Sequence, residues 1–287
     1  MTSSRRSLQP LIQAALREDV GQGDLTSRGL LAAQQRVRAV ILAKQRGIVA
    51  GAEVAAWTFQ FMDRRIRCVV ARRDGQAVRP GQAILRLEGS ARSILAAERT
   101  ALNFLGHLSG IATLTRQFVT RIKPYRVVVL DTRKTLPGLR ALEKYAVRMG
   151  GGTNHRLGLH DAVLIKSNHL RAMECGIRNA EFGMVIQDAI ARTKRVTPKK
   201  FVEIEVTSLR EFKKALEEKP DAILLDNWRM ADIRKAVLLR NSALLLEASG
   251  NVTLQNVRRI ASTGVERISV GRLTHSAPAL DVALHVA

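Results

Sequence analysis

The sequence predicts an α/β protein in two parts, and three observations predict it. In the first part, strand-like runs separated by turn dipeptides lie among helical stretches. In the second, short β-rich runs alternate with amphipathic stretches, the order of βα units around a parallel sheet. Each β-rich run of the second part is apolar through its middle and turns polar or glycine-rich at its C-terminal end. A chain of 287 residues with 46% apolar side chains has the material for such cores.

Taken in order, residues 8 to 20 place Leu8, Leu11, Ile12, Ala15 and Leu16 at helical spacing, and Gly21 ends the helix. RVRAVILAK (36–44), IRCVVARR (66–73) and AILRLEG (83–89) read as strands, with Asp74-Gly75 and Pro80-Gly81 as turns between the last two. From Ser90 to about Lys123 the apolar positions, among them Leu95, Leu102, Leu105, Leu108 and Ile111, recur with a helical period, predicting helices that join the two parts. The later strands are VVVLDTRK, AVLIK, FVEIEV, AILLDN, ALLLEASG and RISVG. One helix is expected from near Pro137 to Gly150, Pro in the first turn and Gly at the end. Another starts at Ser208 with a capping box, Ser208 accepting from the N3 amide while Glu211 bonds back to the cap.

Composition excludes several classes. MTSSRRS at the start is polar and lacks the apolar core of an export signal, and no run of about 18 apolar residues could span a bilayer. Cys68 and Cys175, the only cysteines, stand far apart, so a disulfide framework is not expected and a reducing cytoplasm fits. The net charge of +22 attracts polyanions without choosing among them. With 4% aromatic residues there are few platforms for base stacking, so nucleic acid is not the expected partner.

In a β/α barrel the strand C-termini converge on one face and build the site there. Here those ends carry Thr132-Arg133-Lys134, Lys166, Glu205, Asp226-Asn227, Ser249-Gly250-Asn251 and Gly271. Arg offers a planar fork to carboxylate or phosphate and Lys a point charge, so Arg133, Lys134, Arg156 and Lys166 suit a ligand with several anionic groups. Glu205 and Asp226 beside phosphates make sense as holders of sugar hydroxyls or of Mg²⁺, which prefers oxygen ligands. EASGN and SVGRLTHS, last in strand order, lie where barrels often bind phosphate. A phosphosugar with a carboxylated partner is the ligand class implied. Gly150-Gly151-Gly152 matches no nucleotide loop and reads as a flexible helix end; His155, His160 and His169 lack zincin spacing; His107 and His285 read as structural; and no G-x-S-x-G elbow is present.

The run DTRKTLPGLRALEKYAVRMGGGTNHRLGLHDAVLIK closely resembles the core of the quinolinate phosphoribosyltransferase family. EDVGQGDLTS, AERTALNFLGHLSGIAT, EIEV, LLDN, EASGNVT and GVERISVGRLTHSAPALD follow in the family's order, so the likeness covers nearly the whole chain. The resemblance implies an N-terminal α/β sandwich over residues 1–112, to which the tail 273–287 returns, and an incomplete seven-stranded α/β barrel over 113–272. It implies transfer of phosphoribosyl from 5-phosphoribosyl-1-pyrophosphate (PRPP) to quinolinate with loss of CO₂, giving nicotinate mononucleotide for NAD biosynthesis, with Mg²⁺ and no organic cofactor.

Matching positions would set quinolinate's carboxylates against Arg133, His155 and Arg156, with Arg99 reaching in from the second subunit of a homodimer; a hexamer of such dimers stays open. Lys134 and Lys166 would neutralise substrate charge, while Glu205 and Asp226 hold ribose hydroxyls and the hydrated Mg²⁺. Thr132 would line the substrate site, and Ser249, Gly250, Asn251 and Gly271 would cradle the 5-phosphate with His275 nearby. One departure stands out: the family usually has K-D-N-H, and this chain has Lys166-Ser167-Asn168-His169. A nicotinate-type transferase or a molybdenum-transport-associated relative could share the barrel, and a nucleic-acid-binding protein could exploit the charge; the Asn154-His155-Arg156 run, suited to a second carboxylate, favours quinolinate.

Overall fold

The computed structural model describes residues 5–175 and 182–286. Its elements run α1 (Arg5–Val20), α2 (Leu25–Leu30), β1 (Arg36–Ala43), β2 (Gly47–Ile48), α3 (Ala52–Met62), β3 (Arg67–Val70), β4 (Ala77–Val78), β5 (Ala83–Ser90) and α4 (Ala91–Arg121). They continue with β6 (Val128–Leu130), α5 (Arg140–Gly150), β7 (Val163–Ile165), α6 (Ser167–Glu174), α7 (Phe182–Val196), β8 (Val202–Val206) and α8 (Leu209–Glu217). The last are β9 (Ala222–Asp226), α9 (Met230–Leu239), β10 (Leu245–Ser249), α10 (Val257–Ala261), β11 (Arg267–Ser269), α11 (Arg272–His275) and β12 (Val282–Val286). Two compact units result. One holds the chain up to Arg116, Lys134–Gly152 and the chain from Arg272 on; the other holds Gln117–Arg133 and Thr153–Gly271.

The first unit is built on an antiparallel sheet in the order β12-β1-β5-β3. Along β1 the buried positions Ala39, Ile41 and Ala43 alternate, as period-two side chains on a half-covered sheet must. Helix α1 starts at Arg5 and buries Leu8, Ile12 and Leu16 at i, i+4 and i+8, and Gly21, at φ +52°, closes it by donating to the Arg17 carbonyl. The apolar residues of α3 surround its axis, which leaves no amphipathic period to read; its first amides, Gly51 and Ala52, both donate to the Asp74 carboxylate at 3.0 Å. The expected joining helices are one helix, α4, of 31 residues. The tail crosses it where the Leu280 amide donates to the Gly106 carbonyl at 2.9 Å, and then enters the sheet as β12.

Helix α5 also belongs to the first unit and starts three residues later than expected, because Gly138 sits at φ +78° inside a turn closed by Leu139 N–H to the Leu136 carbonyl at 3.1 Å. Gly150 at its end is close-packed and the next two amides are hydrogen-bonded, which corrects the flexible reading. A Cβ on Gly150 would lie 2.5 Å from the Ala112 carbonyl oxygen, and Gly151 and Gly152 donate to the carbonyls of Arg148 and Val147.

The second unit carries six parallel strands in the order β6-β11-β10-β9-β8-β7. The seventh strand expected from the family is reduced to a single parallel bridge, Leu130 with Thr153, on the open side of β6. The segment offers Gly-Gly-Thr-Asn-His-Arg in place of a β-branched run, so there is little to extend it. The capping box of α8 is half as predicted: Ser208 Oγ accepts from the Glu211 amide at 3.3 Å, but the Glu211 carboxylate reaches one residue further back, to the Thr207 amide at 2.7 Å. No helix among the described residues is long and apolar enough to cross a membrane.

Candidate active site

Side chains two apart on a strand face the same way, so each strand of the second unit presents one residue at its C-terminal rim and another one step deeper. At the rim stand Glu205 of β8, Asp226 of β9 and Ser249 of β10, with Ser249 directly opposite Asp226 in the register. Glu205 is half-buried, and its Oε1 accepts from Ser167 Oγ at 2.8 Å. Asp226 accepts from the Asn227 side-chain amide at 3.0 Å.

The loops that leave β9 and β10 interlock. Asn227 and Asn251 adopt φ +57° and +49°, Gly250 adopts +93°, and Asn251 Nδ2 donates to Asn227 Oδ1 at 3.0 Å. Only glycine fits at 250, since a Cβ there would lie 2.2 Å from Asn227 Oδ1 and 2.9 Å from its backbone nitrogen. Trp228 fixes the base of this turn by donating from Nε1 to the Val206 carbonyl at 2.9 Å. Left-handed backbone at two non-glycine positions on adjacent strand ends is strain of the sort that concentrates at ligand sites.

On the β6 side, fully buried Asp131 accepts from the Asn154 side chain and, at 2.9 Å, from the His155 amide, which clamps the bridged segment to the end of β6. Arg156 is buried, and its Nη1 donates to the Ala162 carbonyl at 3.0 Å. Burial, and next the nearby Arg133 guanidinium, push the Arg156 pKa below its ordinary value. Glu203 pulls it partly back, supplying some of the negative charge that two cations held close in a poorly solvated place call for. Half-buried Thr132 sits beside Arg133, and Lys166 is exposed just ahead of α6, where its amide donates to His169 Nδ1 at 2.9 Å.

One step deeper lies a layer the sequence reading did not single out. Glu203 on β8 and Glu247 on β10 are fully buried. His155 Nε2 lies 2.9 Å from Glu203 Oε2 and 3.5 Å from Glu247 Oε1, and its Nδ1 accepts from the Arg156 amide at 2.8 Å. Arg267 Nε comes within 3.6 Å of Glu247 Oε2. Burial pushes both carboxyls above the usual range, and for Glu247 the neighbouring Glu203 pushes the same way. The alternation in V-E-I-E-V, which puts Glu203 on the same face as Glu205, was the available signal.

Three other predicted residues lie in the first unit. Arg99 is exposed on α4, Lys134 is exposed ahead of α5, and His275 is exposed at the end of α11, paired through Nδ1 with Ser276 Oγ at 2.6 Å. The Lys134 loop is tied down: the Lys134 carbonyl accepts from Thr274 Oγ1 at 2.6 Å, and the Leu136 amide donates to buried Glu143 at 3.3 Å. Glu143 also meets His107 Nε2 at 2.9 Å, a structural use of that histidine.

Two clusters come into question for a metal. Ligand atoms of His155, Glu203 and Glu247 lie within 4.8 Å of one another, but His155 Nδ1 already faces the Arg156 backbone N–H, an arrangement that favours a proton over a metal on Nε2. Glu205 and Asp226 present hard oxygens on adjacent strands, a donor set that fits Mg²⁺.

Residues 24–109 match the family model for the quinolinate phosphoribosyl transferase N-terminal domain, and 111–285 match that for its C-terminal domain. The chain belongs to the quinolinate phosphoribosyltransferase family. It is 40% identical over 283 residues to a probable nicotinate-nucleotide pyrophosphorylase [carboxylating] of Synechocystis, covering 97% of this chain and 92% of that protein. It is likewise 40% identical over 279 residues to the nicotinate-nucleotide pyrophosphorylase [carboxylating] of Mycobacterium leprae, covering 95% of each. Among solved structures, the nicotinate-nucleotide pyrophosphorylase of Francisella tularensis superposes with a TM-score of 0.90 at 39% identity, over 99% of this chain and 97% of that one. The two-part α/β fold expected from the sequence is therefore that of the family.

Proposed function

We infer that this chain is a carboxylating nicotinate-nucleotide pyrophosphorylase, joining quinolinate to PRPP and releasing pyrophosphate and CO₂. Family membership supports the reaction, and one observation carries the assignment to this chain: buried Arg156 lies beside Arg133, a pair of guanidiniums suited to carboxylates, in the same unit as the rim carboxylates Glu205 and Asp226.

In this reading quinolinate's carboxylates lie against Arg133 and Arg156 with His155 beside them, and Lys134, next in the chain to Arg133, and Lys166 offset substrate charge. Thr132 lines the same site. The interlocked turns of Asn227 and Ser249-Gly250-Asn251, with Gly271 and His275, receive the 5-phosphate. Glu205 and Asp226 would hold ribose hydroxyls and Mg²⁺, which would supply neutralisation of the diphosphate's charge. A homodimer would let exposed Arg99 serve the site of a second copy.

The chemistry follows from charge. As the C1–O bond of PRPP breaks, the electron pair leaves with pyrophosphate and C1 gains positive character, which Glu205 and Asp226 favour. The pyridine nitrogen then gives its lone pair to C1. The resulting pyridinium accepts the pair left when the C2 carboxylate departs as CO₂, and the ring carbon takes up a proton. The positive ring nitrogen is the electron sink, so no organic cofactor is needed.

Ser167 stands where the family usually has Asp, and its hydroxyl donates to Glu205. A neutral donor there orients Glu205 without adding charge. In Ser167→Asp the added carboxylate should shift the Mg²⁺ dependence to lower concentration; an unaltered profile would show that the position is idle. The reading as a whole is tested by incubating the protein with quinolinate, PRPP and Mg²⁺ and measuring CO₂ and pyrophosphate, expected in equal amounts. Absence of both, with quinolinate still intact, would refute it.

A further inference from the structure

We propose that Glu203 and Glu247 are positioning residues that hold His155 as the neutral Nε2–H tautomer, and that His155 in turn sets the backbone of Arg156, whose guanidinium the Ala162 carbonyl holds. The proposal deepens the reading above and rests on it for the identity of the ligand.

The tautomer follows from hydrogen-bond inventory. A backbone N–H can only donate, and the Arg156 amide points at His155 Nδ1 at 2.8 Å, so Nδ1 holds a lone pair. The ring proton must then sit on Nε2, where Glu203 Oε2 accepts it at 2.9 Å and Glu247 Oε1 waits at 3.5 Å. Adding a second proton would set an Nδ1–H head-on against the Arg156 N–H. Arg156 itself, Arg133 next to it and Arg267 at 3.6 Å from Glu247 oppose a further cation, although Glu203 and Glu247 inside their strands and Asp131 just past β6 would favour one. The donor-to-donor contact is the closest of these and decides for the neutral ring.

The consequence is a division of labour. His155 adds no positive charge to carboxylate recognition, and both its ring nitrogens have protein partners. It works as a post: Glu203 fixes one end of the ring, and the other end fixes the Arg156 amide, while the Ala162 carbonyl fixes the Arg156 guanidinium. Removing the carboxylate should let the ring turn, leave the Arg156 amide without its acceptor, and loosen the fork that grips quinolinate. Binding should suffer more than turnover.

The test reads the ring directly in the substrate-free protein. With ¹⁵N-labelled histidine, long-range ¹H–¹⁵N spectra, assigned by comparison with His155→Gln, should show the neutral Nε2–H pattern for His155 between about pH 6 and 8. An imidazolium or an Nδ1–H pattern would overturn the proposal, as would a metal-bound one. Calorimetry of quinolinate binding supplies the second arm. Glu203→Ala should weaken affinity roughly 10-fold to 100-fold with kcat changed less, and Glu203→Gln, whose amide oxygen can still accept from Nε2, should recover most of it. Equal affinities for the Ala and Gln variants would also overturn it. Should Glu203→Ala not fold, the wild-type spectrum alone decides. Because the spectrum needs no turnover, an inactive protein with the expected tautomer would sink the transferase reading and leave this one standing.

Discussion

Glu205 and Glu203 sit two residues apart on one strand and one face, yet they live in different worlds. Glu205 is half-buried, held on one oxygen by Ser167 and open to a ligand. Glu203 is fully buried, grips His155, and has its carboxyl pushed above the usual range by burial. Ser249 and Glu247 repeat the contrast on β10. In the reading proposed above, one step along a strand separates a group that would meet substrate from a group that would hold the ones that do. Depth in the sheet, more than residue type, assigns the role.

The largest effects are expected from removing charges proposed to act in the chemistry, Glu205 at the rim and Lys134 of the first unit. Glu205→Ala and Lys134→Ala should each lower kcat by about 10² to 10³ with the melting temperature nearly unchanged; steady-state kinetics like wild type in either variant would remove that residue from the chemistry. Next comes the boundary between rim and interior: Arg156→Ala should raise the quinolinate Kd about 10-fold to 100-fold, the size of one or two charge-assisted hydrogen bonds, read by calorimetry. In the phosphate turn, Gly250→Ala should destabilise by about 1–3 kcal/mol and raise the KM for PRPP, because the new Cβ strikes Asn227; a variant that melts and binds PRPP as wild type does would show that the two loops are free to part.

The deeper layer can be sharpened through pH. Burial raises the Glu247 carboxyl from 4.5 to about 8, so the native state binds a proton over a range where the unfolded chain has released it. That contribution is complete below the unfolded value and is lost as pH rises toward the folded one. The melting temperature of wild type minus that of Glu247→Gln should therefore fall between about pH 4.5 and 8. A flat difference would mean that Glu247 does not change its proton on unfolding. The smallest effect belongs outside both layers. Ser208→Ala removes the α8 cap and should cost about 1 kcal/mol in urea melts with kcat intact, which calibrates the rest.

The rim was legible in the sequence because polar residues punctuate apolar runs at Glu205, Asp226 and Ser249, the last two being where β9 and β10 stop and Glu205 the next-to-last residue of β8. The layer beneath was not. Glu203 and Glu247 interrupt their strands from inside, and although alternation puts Glu203 on the face of Glu205, nothing in a one-dimensional pattern brings His155, 48 residues earlier in the chain, against it. Asp131 was hidden likewise, since its use lies in clamping a segment 23 and 24 residues away. Helix boundaries drifted where turn chemistry overrode the cue from Pro137, at Gly138, and the seventh strand shrank to a bridge where glycine and polar residues replaced β-formers. Of the predicted residues in the first unit, Lys134 was read from the polar end of a strand, while Arg99 and His275 were named by resemblance to the family; their exposure says nothing by itself of what they meet.

β12 pairs along β1 from Ala39 to Ala43, so the earliest strand of the sheet is completed by the latest. During synthesis at roughly 5–20 residues per second, the emerging β1 must wait ten seconds or more with one edge bare. The second unit can close while that edge is still open. A ribosome that stalls near the end would leave a nascent chain with a formed parallel sheet and an adhesive flank, the kind of species that chaperones exist to shield.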